Sequence, residues 1–201
     1  GEARHAAARV RAAREALGPD IDIMCDAHGT FSVAEAKRFC REVADCNIGW
    51  LEEPVVADDK RGMAEVRASS DVPISTGESE FSRFAFRDLA ELRACDIFQP
   101  DLSICGGVTE AMRIEAIASA FQLRFAPHLW GGALTFASGL HVLSVASTGF
   151  IVEYSLGANP MLHELVVEDC TVVDGHLEIP DRPGLGVTVD EEFVEKYRVK
   201  N

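Results

Sequence analysis

Asp26, Glu52 and Glu78 recur at intervals of 26 residues, each closing or directly following a short apolar run. The runs are "IDIMCD", "IGWLE" and "PISTG". Three carboxylates brought to one place repel one another strongly unless a cation lies between them. All-oxygen ligation suits a hard ion, Mg²⁺ first, with Mn²⁺ and Ca²⁺ as the other choices. Taken singly, each acid has a plainer reading, Asp26 as a turn cap and Glu52 as half of a surface pair. Three in phase favour the metal. The first run continues as "CDAHGTF", so His28 follows Asp26 by two residues. Alternation along a strand would turn both side chains to one face. They are then two ligands, a ligand beside a catalytic acid, or an ordinary polar strand end.

Two later stretches add an acid and a base. "FQPDLSICGGVTE" places Asp101 just past one apolar run, and "RFAPHLWGG" places His128 just past the next. If those runs are neighbouring strands, an Asp–His pair forms. The carboxylate then fixes the imidazole tautomer and raises its basicity, which makes a general base. The plainer alternative packs His128 against Trp130 and satisfies it with backbone. Glu153, in "FIVEYSLG", ends the last run. Arg83 and Trp130 lie in the adjoining loops and are weaker candidates for substrate contact. Gly106-Gly107 permits a tight turn and a close helix approach, and its N–H groups could also face an anion.

The elements that must position these residues alternate. Strands are expected at 21–26, 48–52, 73–77, 95–99, 124–127 and 150–153. Helical periodicity fills the intervals, in "SVAEAKRFCREVADC", "RGMAEVRASS", "SRFAFRDLAELRA", "GVTEAMRIEAIASAFQ" and "ALTFASGLHVLSVAS". Ser32, with Glu35 three residues on, forms a capping box that starts the first of them. Such alternation implies a parallel sheet, because parallel neighbours need a crossover. An open doubly wound sheet and a (β/α)8 barrel both satisfy it. One acid per repeat at the strand's C-terminal end is how barrel sites are assembled. No G-x-G-x-x-G follows any strand, which weakens the dinucleotide-binding alternative.

The expected fold is therefore α/β, the C-terminal part of a (β/α)8 barrel with about six of its eight units. A complete barrel needs about 250 residues, so two strand–helix units and anything before them are expected outside this sequence. The sequence opens in a charged helix, "GEARHAAARVRAAREALG", and no signal peptide is read there. Residues 1–159 read as the barrel domain. Residues 160–201 read as a C-terminal segment: a hairpin turning at Asp174-Gly175, a Pro/Gly-rich tail and a short acidic helix near 190–197.

Composition narrows the function. The net charge is −14, which disfavours nucleic acid and anionic membrane as partners, since both need a basic face. No apolar run approaches the roughly 20 residues of a membrane span. Six scattered cysteines with no C-x-x-C pair suit buried thiols in a reducing cytoplasm.

The ordered series "CDAHG", "LEEP", "PISTGES", "QPDLSICGGVTEA", "APHLWGG" and "VEYSLGANP" resembles the enolase superfamily, in its mandelate racemase/muconate-lactonizing branch. The resemblance covers roughly residues 10–187. It implies a missing N-terminal capping domain and, on the missing second strand, a Lys-x-Lys base in many relatives. It implies Mg²⁺ held by Asp26, Glu52 and Glu78, a dyad of Asp101 and His128, and Glu153 hydrogen-bonded to a substrate carboxylate oxygen. In the doublet Glu52-Glu53 the first is the ligand by family pattern. Strand parity agrees, because Ile48, Trp50 and Glu52 share a face.

The chemistry implied is abstraction of the α-proton of a carboxylate substrate by His128, through an enediolate stabilised by the metal and Glu153. Reprotonation makes a racemase, and loss of a β-hydroxyl makes a dehydratase. An Asp-x-His strand end resembles galactonate dehydratases, and "GESEFSRFAFRDL" resembles acid-sugar dehydratases more widely. His28 is then the acid that assists departure of the hydroxyl. The expected function is dehydration of a sugar acid to a 2-keto-3-deoxy acid, by a cytoplasmic homo-oligomer. The alternatives are a racemase, epimerase or lactonizing enzyme of the same superfamily, and a non-catalytic metal-binding barrel fragment.

Overall fold

A computed structural model describes residues 2–168 and 170–199. Gly1, Asp169, Lys200 and Asn201, which fall within the two sequence-derived units, lie outside the described residues. After a first helix α1 (Glu2–Leu17), the elements alternate. They run β1 (Met24–Asp26), α2 (Val33–Glu42), β2 (Trp50–Glu52), α3 (Lys60–Arg67), β3 (Ile74–Thr76), α4 (Ser82–Glu91), β4 (Ile97–Phe98), α5 (Gly107–Ala120), β5 (Arg124–Phe125) and α6 (Ala133–Val145). The five strands form one parallel sheet in sequential order. This is the layout of a (β/α)8-type barrel, with each strand beside the next and a helix over each crossover.

Strand parity divides every strand between two environments. Leu51, Ile74, Phe98 and Phe125 join the core under the helices, among Phe39, Met63, Phe86 and Ile114. Phe86 of α4 meets Phe98 of β4 edge-on at 5.0 Å. Burying side chains of this size contributes about 1.5–3 kcal/mol each. The alternate residues Met24, Trp50, Gln99 and Ala126 line a cavity on the other face of the sheet.

The expected strand at 150–153 is not a strand. Only Gly149 bridges to Phe125, with the Phe125 N–H donating to Thr148 O at 3.0 Å. The segment is held by side chains instead. The Phe150 ring takes the Arg124 guanidinium on its face at 3.2 Å and meets Trp50 edge-on at 6.2 Å. The sheet therefore curls, since Trp50 lies three strands away from β5.

Helix starts follow local chemistry. Ser32 and Glu35 make the full capping box at α2. Helix α4 has no side-chain cap of its own, and its acceptor comes from α5. The Arg83 backbone N–H donates to Glu110 Oε1 at 2.9 Å, and the Arg83 and Arg113 guanidinium groups donate to the same carboxylate. An orphan N–H of one helix is thus satisfied by the first turn of the next.

Beyond α6 lie α7 (Pro160–His163) and α8 (Glu191–Tyr197). A hairpin bridge joins Val173 and His176 about Asp174 and Gly175, both at positive φ. Leu162 packs with Leu129, Phe136 and Leu140, while Leu165 and Phe193 pack with Ala133. The C-terminal segment is thereby seated on α6. Among the described residues no helix is long and apolar enough to cross a membrane.

Hydrogen bonds from the Arg83 backbone, Arg113 and Arg83 hold the Glu110 carboxyl down to about 2 from an ordinary 4.5. A depressed folded-state value stabilises the fold above pH 4.5, and that stability is lost as pH falls toward 2. Glu110→Gln should lower the thermal midpoint at neutral pH and flatten its decline across that window. The measurement is a set of melting curves between pH 7 and 2, and parallel curves for the two proteins would refute the assignment.

Candidate active site

The candidate residues gather at the C-terminal end of the sheet because the parallel register puts them there. Asp26 of β1 is paired in register with Glu52 of β2, and Glu52 with Ser75 of β3. Trp50 Nε1 donates to Glu52 Oε2 at 3.1 Å, which fixes both on one face. Glu53 turns to the other side at a positive φ of 38°. There it is buried and accepts from Thr76 Oγ1 and the Gly77 N–H. Of the doublet, Glu52 is the one that lines the cavity.

Glu78 reaches the rim by a break in the alternation. Continued parity from Ser75 would send Glu78 outward. Gly77 adopts φ +135°, and a Cβ there would sit 2.6 Å from Phe86 Cε1. Past this turn Glu78 Oε2 lies 3.5 Å from His128 Nε2. That distance is an ion pair without hydrogen-bond geometry, and Glu78 Oε2 is buried without a hydrogen-bond partner.

His128 and Asp101 come together as a pair of bridged residues beyond β4 and β5. His128 Nδ1 stands 2.9 Å from Asp101 Oδ2. Asp101 Oδ1 accepts from the Ser103 N–H at 2.7 Å and from the Ser103 hydroxyl, so the carboxylate is fixed from behind. Burial alone would lower the His128 imidazole. The hydrogen bond to Asp101 and the charges of Glu153, Glu78 and Asp101 outweigh it and raise the group to about 9. Burial would likewise raise Asp101, but its bonds to His128 and Ser103 hold it below the usual carboxylate range. Glu153 Oε2 accepts from the Leu129 N–H at 2.6 Å, which ties it to the residue after His128.

The strand-parity argument for His28 does not hold. Strand β1 ends at Asp26, and His28 sits in a turn at φ +48°. The two residues meet for a different reason. Asp26 Oδ1 accepts the His28 N–H at 2.8 Å, and His28 Nε2 lies 3.0 Å from Asp26 Oδ2. An acid accepting a backbone N–H two residues on is a common turn device. The His28 side chain is 73% exposed, open to the space over the rim.

A cavity of about 240 Å³ opens on the inner face of the sheet, lined by Asp26, Glu52, Gln99 and Glu153 among others. Burial, and then the charges of Asp26 and Glu153, push the Glu52 carboxyl up to about 7 against hydrogen bonds from Gln99 and Trp50. The donor set is all oxygen, and it leaves Glu78 Oε2 and Gln99 Oε1 buried and unpartnered. Such a set fits a hard cation. Among the described residues no three His, Cys, Asp or Glu side chains already converge on one ion-sized point. Asp26 is folded onto His28 and Glu52 onto Trp50.

Arg83 is not free for substrate, since its guanidinium is spent on Glu110 and on the face of Phe84 at 4.6 Å. Trp130 is 63% exposed in the loop after His128. Gly106 and Gly107 both have positive φ, and the Gly107 N–H donates to Leu102 O, so the pair makes a turn. Sequence reasoning passed over Gln99, Ser103 and Gly77. Gln99 was signalled by alternation, two residues after Ile97 of β4.

Residues 1–193 match the family described as enolase C-terminal domain-like. The chain is 35% identical to D-galactonate dehydratase of Xanthomonas euvesicatoria, over 95% of its own length and 52% of that protein's. It is 32% identical to D-galactarolactone cycloisomerase of Agrobacterium fabrum, over 94% and 52%. The crystal structure of 3,6-anhydro-D-galactonate cycloisomerase from Zobellia galactanivorans superposes with a TM-score of 0.93 at 31% identity, covering 98% of this chain and 56% of that one. The chain spans about half the length of the relatives it matches.

Gly77→Ala should cost about 1–3 kcal/mol of stability, from backbone strain at a positive φ and the contact with Phe86. Urea denaturation measures it. A variant as stable as the parent would show that Gly77 is not what turns the chain toward Glu78.

Proposed function

The chain belongs to the enolase C-terminal domain-like family, and from that premise we propose that it carries the catalytic half of an acid-sugar dehydratase. The reaction is loss of water from a sugar acid to give a 2-keto-3-deoxy acid. One observation carries the reading: His128 is backed by Asp101 at 2.9 Å while its other nitrogen faces the carboxylate rim. The names of the relatives, dehydratases and cycloisomerases of galactonate-type acids, support the substrate class.

In this reading Asp26, Glu52 and Glu78 would hold Mg²⁺, which would supply positive charge beside a substrate carboxylate and so acidify the adjacent carbon. His128 takes the α-proton on Nε2, since Nδ1 is committed to Asp101. Asp101 keeps that tautomer and stabilises the imidazolium that results. Glu153, when protonated, donates to a substrate carboxylate oxygen as negative charge develops there. His28 gives its proton to the β-hydroxyl, the C–O bond breaks, and water leaves. The enol product then becomes the 2-keto acid. Residues 1–159 form the catalytic domain, and the segment 160–201 faces a capping domain. The protein works as a cytoplasmic homo-oligomer without nucleic-acid or membrane partners, a setting that suits six scattered cysteines with no C-x-x-C pair.

A second reading, a cycloisomerase or epimerase, uses the same base and differs after proton abstraction. It is favoured by the named cycloisomerase relatives. Incubating the full-length protein with Mg²⁺ and a panel of aldonic and aldaric acids, and assaying 2-keto-3-deoxy product, separates the two. Isomerised lactone or epimer without keto acid would sink the dehydratase. His128→Asn should slow exchange of the α-proton with solvent deuterium by about 10²–10⁴-fold, and retained exchange would remove His128 from the role. His28→Asn should slow dehydration far more than exchange, and equal loss of both would leave His28 no part as the acid. EDTA should abolish turnover and Mg²⁺ restore it.

A further inference from the structure

We propose that Gln99 is a further positioning residue of this site, resting on the metal reading above: it braces Glu52 from the neighbouring side of the barrel and offers its carbonyl oxygen to an O–H donor in the cavity. Gln99 follows β4 in extended backbone, its N–H donating to Thr76 O at 2.9 Å. Parity with Ile97 turns its side chain away from the helices. It is 5% exposed and lines the same 240 Å³ cavity as Asp26, Glu52 and Glu153. Its amide lies beside Glu52 in that cavity and favours the charged carboxylate. Once Glu52 is ionised, as holding a cation requires, only the N–H₂ end can serve there, because a carboxylate offers acceptors alone. That fixes which way the amide points and leaves Oε1 directed away from Glu52.

Oε1 has no hydrogen-bond partner. A buried amide oxygen left unmatched is costly. The residue is best explained by a ligand that completes it. Of the polar groups around it, the carboxylates accept, the Trp50 N–H is spent on Glu52, and the Cys25 thiol packs toward the core. The missing partner is therefore an O–H donor brought in by the ligand: a water on the hydrated cation or a hydroxyl of the sugar acid. With both ends engaged, Gln99 sets the rotamer of Glu52 and ties it to the ligand.

The test is Mn²⁺ affinity of the protein, read by electron paramagnetic resonance or calorimetry with and without a sugar acid. Gln99→Met keeps length and volume but removes donor and acceptor. It should weaken Mn²⁺ about tenfold or more, as loss of an outer partner of a metal ligand does, with an unchanged melting midpoint in chelator. In a cycle with Glu52→Gln the two losses should be less than additive, because Gln99 acts through Glu52. If Gln99→Met does not fold, Gln99→Asn withdraws the same amide by one methylene and should give the same loss. A loss seen without the sugar acid identifies a cation-bound water as the donor, and one seen only with it identifies a substrate hydroxyl. Unchanged affinity in both conditions, or full additivity with Glu52→Gln, overturns the role of Gln99. A parent protein that binds no Mn²⁺ overturns the metal reading itself.

Discussion

Like charge concentrated at one end of a parallel sheet is the constraint on which this structure turns. The register sets Asp26 beside Glu52 on adjacent strands, Glu78 and Asp101 follow past the next two strand ends, and Glu153 lies in the segment after α6. Parallel strands all point their C-termini the same way, so residues at equivalent places in each repeat meet without any long-range device. The fold assembles the site, and the site then strains the fold. Each carboxylate has local company that moderates the repulsion. Asp26 has the turn at His28, Glu52 has Trp50, Asp101 has Ser103, and Glu153 has the Leu129 N–H. His128 is the basic group that stands against two of them, Asp101 and Glu78.

Much of this was legible in the chain. The strand ends and helices were readable because polar and apolar residues change period between units, and the capping box at Ser32 and Glu35 marks a start in plain letters. The preference for Glu52 over Glu53 followed from counting two residues back to Trp50. Three things escaped for physical reasons. Parity ends where the strand ends, and β1 stops at Asp26, so the alternation carried to His28 reached the right neighbour by the wrong geometry. Parity also fails at Gly77, where one backbone dihedral redirects Glu78; a glycine in a sequence does not announce its φ. The segment 150–153 looked like a strand by composition. Pairing needs a neighbour in register, and there only Gly149 finds one.

The acids away from the candidate site are equally instructive. Glu53, Glu80, Glu110 and Glu115 are all buried, and each is engaged by groups from another element. Glu53 holds the β3 exit, Glu80 pairs with Lys60 of α3, and Glu115 accepts from Ser147 and Thr148 ahead of the last strand position. A net charge of −14 is therefore partly structural. Several carboxylates act as staples between successive repeats.

The staple at Glu110 reaches furthest. It fastens the start of α4 to the start of α5, and the Ser82 N–H reinforces it by donating to Cys105 O at 3.0 Å. The loop entering α4 carries Glu78, and the loop entering α5 carries Asp101. Those two loops are consequently one mechanical bracket: neither can swing outward without dragging the other. On this side the rim has a wall of fixed spacing, while the turns at His28 and Trp130 are exposed.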